Sequence, residues 1–135
     1  MARFEGIHCT MEVTRPAPGL VVVAIAGRDV GELGDAPFQA IEAEMGAGAV
    51  GELFIDGRDT ASASIDVSNE WARWLQRHRE GLRRVTMLTG SRFIEITAGF
   101  VRRFAGLEDR MRITTDPAAF DAALAEALRA SAERT

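Results

Sequence analysis

The chain has 135 residues, 47% of them hydrophobic and 27% charged, with a formal net charge of −4. That length suits one domain, residues 1–135, able to bury a core without disulfides or metal. The composition excludes a disordered chain, and the acidic balance argues against nucleic acid as a partner.

The single cysteine, Cys9, rules out an internal disulfide and fits a reducing, cytoplasmic setting. The opening MARFEGIHCTMEV has no long apolar run, so no signal peptide is expected. The longest apolar run, residues 20–26, is too short to cross a bilayer, and no membrane role is expected.

Ile7, Cys9, Met11 and Val13 alternate with polar residues, which predicts a half-buried edge strand with Cys9 as a small buried hydrophobe. Arg15-Pro16-Ala17-Pro18-Gly19 is a turn. LVVVAIA (20–26) predicts a strand buried on both faces, paired with the first as a hairpin. Asp35 and Pro37 start a helix carrying Phe38, Ile41 and Met45 on one face, ended by Gly46-Ala47-Gly48-Ala49.

Leu53 to Asp56 predicts the next buried strand, followed by a polar loop over 57–65. Asp66 is read as the N-cap of a helix with the stripe Val67, Trp71, Trp74, Leu75 and His78. Gly81 stops that helix, beside Arg77, Arg79, Arg83 and Arg84, which are read as a solvated helix end.

VTML (85–88) is a further parallel strand. Ser91 caps a helix whose stripe of Phe93, Ile96, Thr97, Phe100, Val101 and Phe104 is read as core, and Gly106 closes it. Met111, Ile113 and Thr115 mark a short last strand. Asp116-Pro117 then opens a helix lined by Phe120, Ala123, Leu124, Ala127 and Leu128, with 131–135 expected to fray. The order ββαβαβαβα predicts an α/β fold with a mixed, mostly parallel sheet and helices packed on it.

No nucleotide-binding glycine pattern and no GxSxG elbow is present, and His8 and His78 lack partners at metal-ligand spacing. No catalytic residue, metal or cofactor is predicted. The stretch 51–75 runs from a strand end through hydroxyl-rich residues to a helix start, where open α/β sheets place their working surface. Asp56, Asp59 and Asp66 read as caps and turn formers before they read as a cation site. Thr60, Ser62, Ser64 and Ser68 are likewise residues that loops and caps favour. Trp71 and Trp74 share a stripe with core residues, with an edge left for a partner.

The paired first strands ending in Gly27, the strand LFID, the strand VTML, the helix 91–106 and the ending TTDPAAFDAALAEAL together resemble the STAS domain of the anti-sigma factor antagonists. They also resemble the STAS-like group akin to CRAL-TRIO lipid-binding domains. The resemblance covers nearly the whole chain and implies a bacterial regulatory domain with a protein partner, a kinase-like anti-sigma factor. It further implies a phosphorylated Ser or Thr in the loop after the third strand. Asp56 matches the strand-terminal acid, but the Asp-Ser-Ser-Gly pattern is absent and the loop is longer. Thr60, Ser62, Ser64 and Ser68 are the hydroxyls open to phosphorylation.

The sequence thus points to a non-enzymatic docking domain using Asp56, Arg58, Asp59, Asp66 and Trp71. One alternative is a carrier of a small apolar, lipid-like ligand. Another is a homo-oligomeric subunit, a homodimer for instance, pairing through the first strand's edge.

Overall fold

A computed structural model describes residues 1–46 and 51–134. Six strands, β1 (Ala2–Glu5), β2 (Cys9–Ala17), β3 (Leu20–Asp29), β4 (Gly51–Ala63), β5 (Leu82–Thr89) and β6 (Met111–Thr114), form one sheet in chain order. β1 to β3 are antiparallel and β3 to β6 parallel. The helices are α1 (Ala36–Met45), α2 (Ile65–Arg77), α3 (Arg92–Phe104) and α4 (Pro117–Arg134). Adjacent parallel strands joined by crossovers of one hand place their helices on one face of a sheet. Here α1, α2 and α3 cover one face through Ile41, Trp74, Leu75 and Ala105, over Val13, Val23, Leu53 and Val85. α4 covers the other face, setting Phe120 and Ala127 on Leu20, Phe54 and Leu88.

The predicted fold class is the one observed. Cys9, Met11 and Val13 are buried as their alternation predicts. Gly27 is required at its place: its φ is +93°, and a Cβ there would lie 2.2 Å from the His8 carbonyl, whose oxygen accepts the Arg28 N–H. The connection expected at Ala47-Gly48-Ala49 lies outside the described residues.

The structure corrects six local expectations. β1 is an extra strand, so the edge belongs to Ala2–Glu5, and Ile7 is exposed in the turn that follows. β3 is not buried on both faces throughout: Ala24 is exposed. α4 runs to Arg134 with Ser131 buried, where a frayed end is expected.

The expected loop 57–65 is strand as far as Ala63, pairing with β3 at Ala26↔Asp59, Gly27↔Thr60 and Arg28↔Ser62. Its small polar residues have little strand propensity, and the ladder to β3 overrides that. The α2 N-cap is Ser64, whose hydroxyl accepts the Val67 N–H at 3.2 Å, and not Asp66.

The sixth correction concerns α3. Its inward face is Ile94, Ala98, Val101 and Ala105, whereas Phe93, Ile96, Phe100 and Phe104 are exposed. Alanines at 98 and 105 let the helix axis approach the sheet. The bulky aromatic row, three and four residues apart, faces away from it.

Candidate functional site

The register shifts between β3 and β4 decide where the expected site residues go. Between Ala24↔Asp56 and Ala26↔Asp59, and again between Gly27↔Thr60 and Arg28↔Ser62, β4 carries one residue more than β3. Such bulges break the strict alternation of faces. Asp56 and Asp59 line a shallow recess with Arg3, Thr10, Glu12 and Ala24 on the α4 side of the sheet. Gly57, Thr60 and Ala63 line a cleft on the opposite side, under α2 and α3. One run of sequence therefore serves both faces of the sheet.

On the α4 side, the Arg58 Nε donates to both Asp56 oxygens at 3.0 and 3.1 Å, and its Nη2 to Asp121 Oδ1 at 2.6 Å. These two carboxylates hold the guanidinium pKa above its ordinary value. The Arg58 guanidinium also lies 5.9 Å from the Phe120 ring centroid. This ties the sheet to α4 through partly exposed ions, an arrangement worth little in stability and well suited to setting α4 in place.

Three of the four candidate hydroxyls are engaged. Thr60 donates to the Ile25 carbonyl at 2.8 Å, Ser64 caps α2, and Ser68 donates to the Ser64 carbonyl at 3.2 Å. Ser62 is exposed and its hydroxyl has no bond among the described residues. Asp66 is exposed in the first turn of α2, where its charge suits the helix dipole. Trp71 is half-buried, edge-on to Phe38 at 4.9 Å, and forms part of the cleft wall. Trp74 is fully buried, and its indole N–H donates to Glu42 Oε1, which also lies 2.8 Å from His78 Nε2.

The cleft between the sheet and the α2–α3 pair is open to solvent and has a cavity volume of about 70 Å³. Its walls are mainly apolar, from Ile25, Ile55, Leu75, Met87, Ile94 and Val101. Asp29, at the end of β3, lines it with 4% of its surface exposed. One Asp29 oxygen accepts the Gly31 N–H at 3.2 Å, and its backbone carbonyl accepts the Ser64 N–H. Burial pushes the carboxyl pKa up, against the lowering effect of the Gly31 bond. The sequence offers no signal for Asp29, because a lone Asp after a strand reads as a turn former.

A second feature is the outer face of α3. Phe93 (64%), Ile96 (52%), Phe100 (61%) and Phe104 (56%) form one row at i, i+3, i+7 and i+11, large enough to mark a contact surface and not scattered exposure. Arg92 and Arg103 flank the row on one side, the latter 5.9 Å from the Phe100 ring centroid. Phe93 and Thr97 also line the mouth of the cleft, so the row and the cleft adjoin. The periodicity of this helix was legible in the sequence, but its direction was not. Among the described residues no helix is long and apolar enough to cross a membrane.

No protein-family model matches the chain, and no curated protein matches its sequence. A solved structure does match: an uncharacterized protein of the DUF3478 family from Shewanella loihica PV-4, with a SpoIIAA-like fold. The TM-score is 0.60 at 13% identity, over 86% of this chain and 94% of that one. SpoIIAA is the anti-sigma factor antagonist, of STAS type. With a sheet antiparallel at one end and parallel through β6, three helices on one face and α4 on the other, this chain has the SpoIIAA-like fold.

Proposed function

We propose that this chain is a non-enzymatic regulatory docking domain whose principal contact surface is the outer face of α3. The observation that carries the reading is the exposed row Phe93, Ile96, Phe100 and Phe104. Aromatic side chains on a rigid helix are the anchors from which protein interfaces draw most of their affinity. Arg92 and Arg103 share one flank, so a second copy packed antiparallel would bring like charges together. The arrangement fits an acidic amphipathic segment of a different protein, with carboxylates meeting the two arginines.

A non-catalytic role is supported by the histidines, since His8 faces Glu32 and His78 faces Glu42, and neither bonds a hydroxyl among the described residues. The anti-sigma factor antagonists supply a precedent for regulation by contact on this fold. Within this reading, Asp66 and Trp71 on α2 extend the surface, whereas Asp56 and Arg58 hold α4 and Asp59 lines the recess beside Arg3 and Glu12. Ser62 is the hydroxyl free to carry a phosphate, which would add charge to the exposed end of β4.

The test is a photocrosslinking residue in place of Phe100 in the producing cell, followed by purification of the protein it captures. Calorimetric titration should then show the Phe100→Asp/Phe104→Asp variant binding that protein about thirtyfold or more weakly than the wild type. Equal affinity for a variant that melts like the wild type would remove α3 from the interface.

A further inference from the structure

We infer that the cleft between the sheet and the α2–α3 pair is a binding site for a small apolar molecule with a hydrogen-bond-donating head, an alcohol or an amine, and that it rejects carboxylates. This stands on the interior of the molecule and is independent of the docking surface.

The argument is an inventory of donors and acceptors. The Thr60 hydroxyl donates to Ile25 O at 2.8 Å, Ser68 to Ser64 O at 3.2 Å and Thr97 to Phe93 O at 2.9 Å. Thr89 points its hydroxyl hydrogen at Ser91 O at 3.5 Å while accepting the Ser91 N–H at 3.1 Å. Each of these wall residues has committed its one hydrogen to the backbone, so toward the cleft a hydroxyl offers only lone pairs. Asp29 adds a carboxyl with one oxygen bonded to Gly31 and no hydrogen-bond partner for the other among the described residues. Among the described residues no Arg or His lines the space, and the chain has no Lys. The indole N–H of Trp71 is the lining's one side-chain donor without a bond among the described residues, and it is neutral.

A cleft walled by hydrocarbon and furnished with acceptors selects its occupant by what that molecule donates. A hydroxyl or ammonium group satisfies the open Asp29 oxygen, and the apolar body takes the remaining surface. A carboxylate or phosphate head would meet a buried carboxyl and oxygen lone pairs, with no cation to balance its charge. The mouth beside Phe93 and Thr97 gives the entry path.

The probes are 1-octanol, octylamine and octanoate, which share a chain and differ in the head, titrated into the full chain by calorimetry and ligand-observed NMR at neutral pH. The alcohol or the amine should bind about tenfold or more tightly than octanoate, and the better of the two shows whether the head is neutral or cationic. Asp29→Asn keeps the acceptor for Gly31 and removes the charge, so it should bring octanoate to within about threefold of the alcohol. Ala98→Met, which fills the cleft from α3, should weaken all three probes. The inference is overturned if octanoate binds as well as the other two, if Asp29→Asn leaves the ranking unchanged, or if none of the three binds the folded wild-type chain. Should Ala98→Met fail to fold, Thr97→Phe at the mouth takes its place, and binding undiminished by either blocking variant overturns the site.

Discussion

Asp29 holds a carboxyl, 4% exposed, on the wall of a largely apolar cleft, with a single backbone donor. Burial raises its pKa above the ordinary 3.8. An acid whose pKa is raised on folding binds its proton more tightly in the folded than in the unfolded chain. Its contribution to stability therefore declines as pH climbs from the ordinary value through the raised one. Asp29→Asn is expected to raise the thermal midpoint near neutral pH, each kcal/mol gained showing as roughly 3–4 °C in a domain of this size. The gain should vanish as the pH approaches 3.8. Calorimetric scans over that pH range check it, and a gain independent of pH would assign the effect to packing. Cys9 feels the same environment: burial first, then the charges of Asp29 and Glu32, push its thiol up to about 11. It is accordingly a core atom and not a reactive thiolate.

At the scale of the element, α3 has two apolar faces, and sequence periodicity reports that a stripe exists without saying which stripe turns inward. Phe93, Ile96, Phe100 and Phe104 outweigh Ile94, Ala98, Val101 and Ala105 in hydrophobicity, so a reading by bulk selects the wrong face. The sheet accepts the slimmer one because α3 must lie close over β5 and β6. Ile94→Ala is thus expected to cost about 2–4 kcal/mol, and Phe100→Ser no more than about 0.5 kcal/mol, measured by urea unfolding. The reverse order would place the aromatic row in the core.

β4 gives a second case. LFID was legible as a strand because it is a buried apolar run, whereas DTASA (59–63) carries no strand signal and is held there by its ladder to β3. The caps at Ser91, with the Ile94 N–H donating to its hydroxyl, and at Asp116 were legible because their chemistry is local.

For the whole molecule, the order of elements and the fold class could be read from alternating apolar runs and turn residues. The candidate site could not, because it depends on bulge positions and on which faces two helices share. β3 and β4 lie at the centre of the sheet, while β1 and β6 are short, charged or half-exposed edges. Native-state hydrogen exchange should therefore find the slowest amides in β3, β4 and β5 and the fastest strand amides in β1 and β6. Slow exchange in β1 in the isolated monomer would contradict its place at the edge.

The sheet lists its strands in the same order as the chain does. A polypeptide leaving the ribosome would thus find, for each new strand, a neighbour already made, and no strand need be held open for a later one to insert. The cost of this vectorial assembly falls on the far side of the sheet. Leu20, Phe54 and Leu88 stay uncovered until Phe120 and Ala127 arrive on α4, the last element. The interval between β5 and α4 is the time in synthesis when this chain is most exposed to aggregation and chaperones have most to shield.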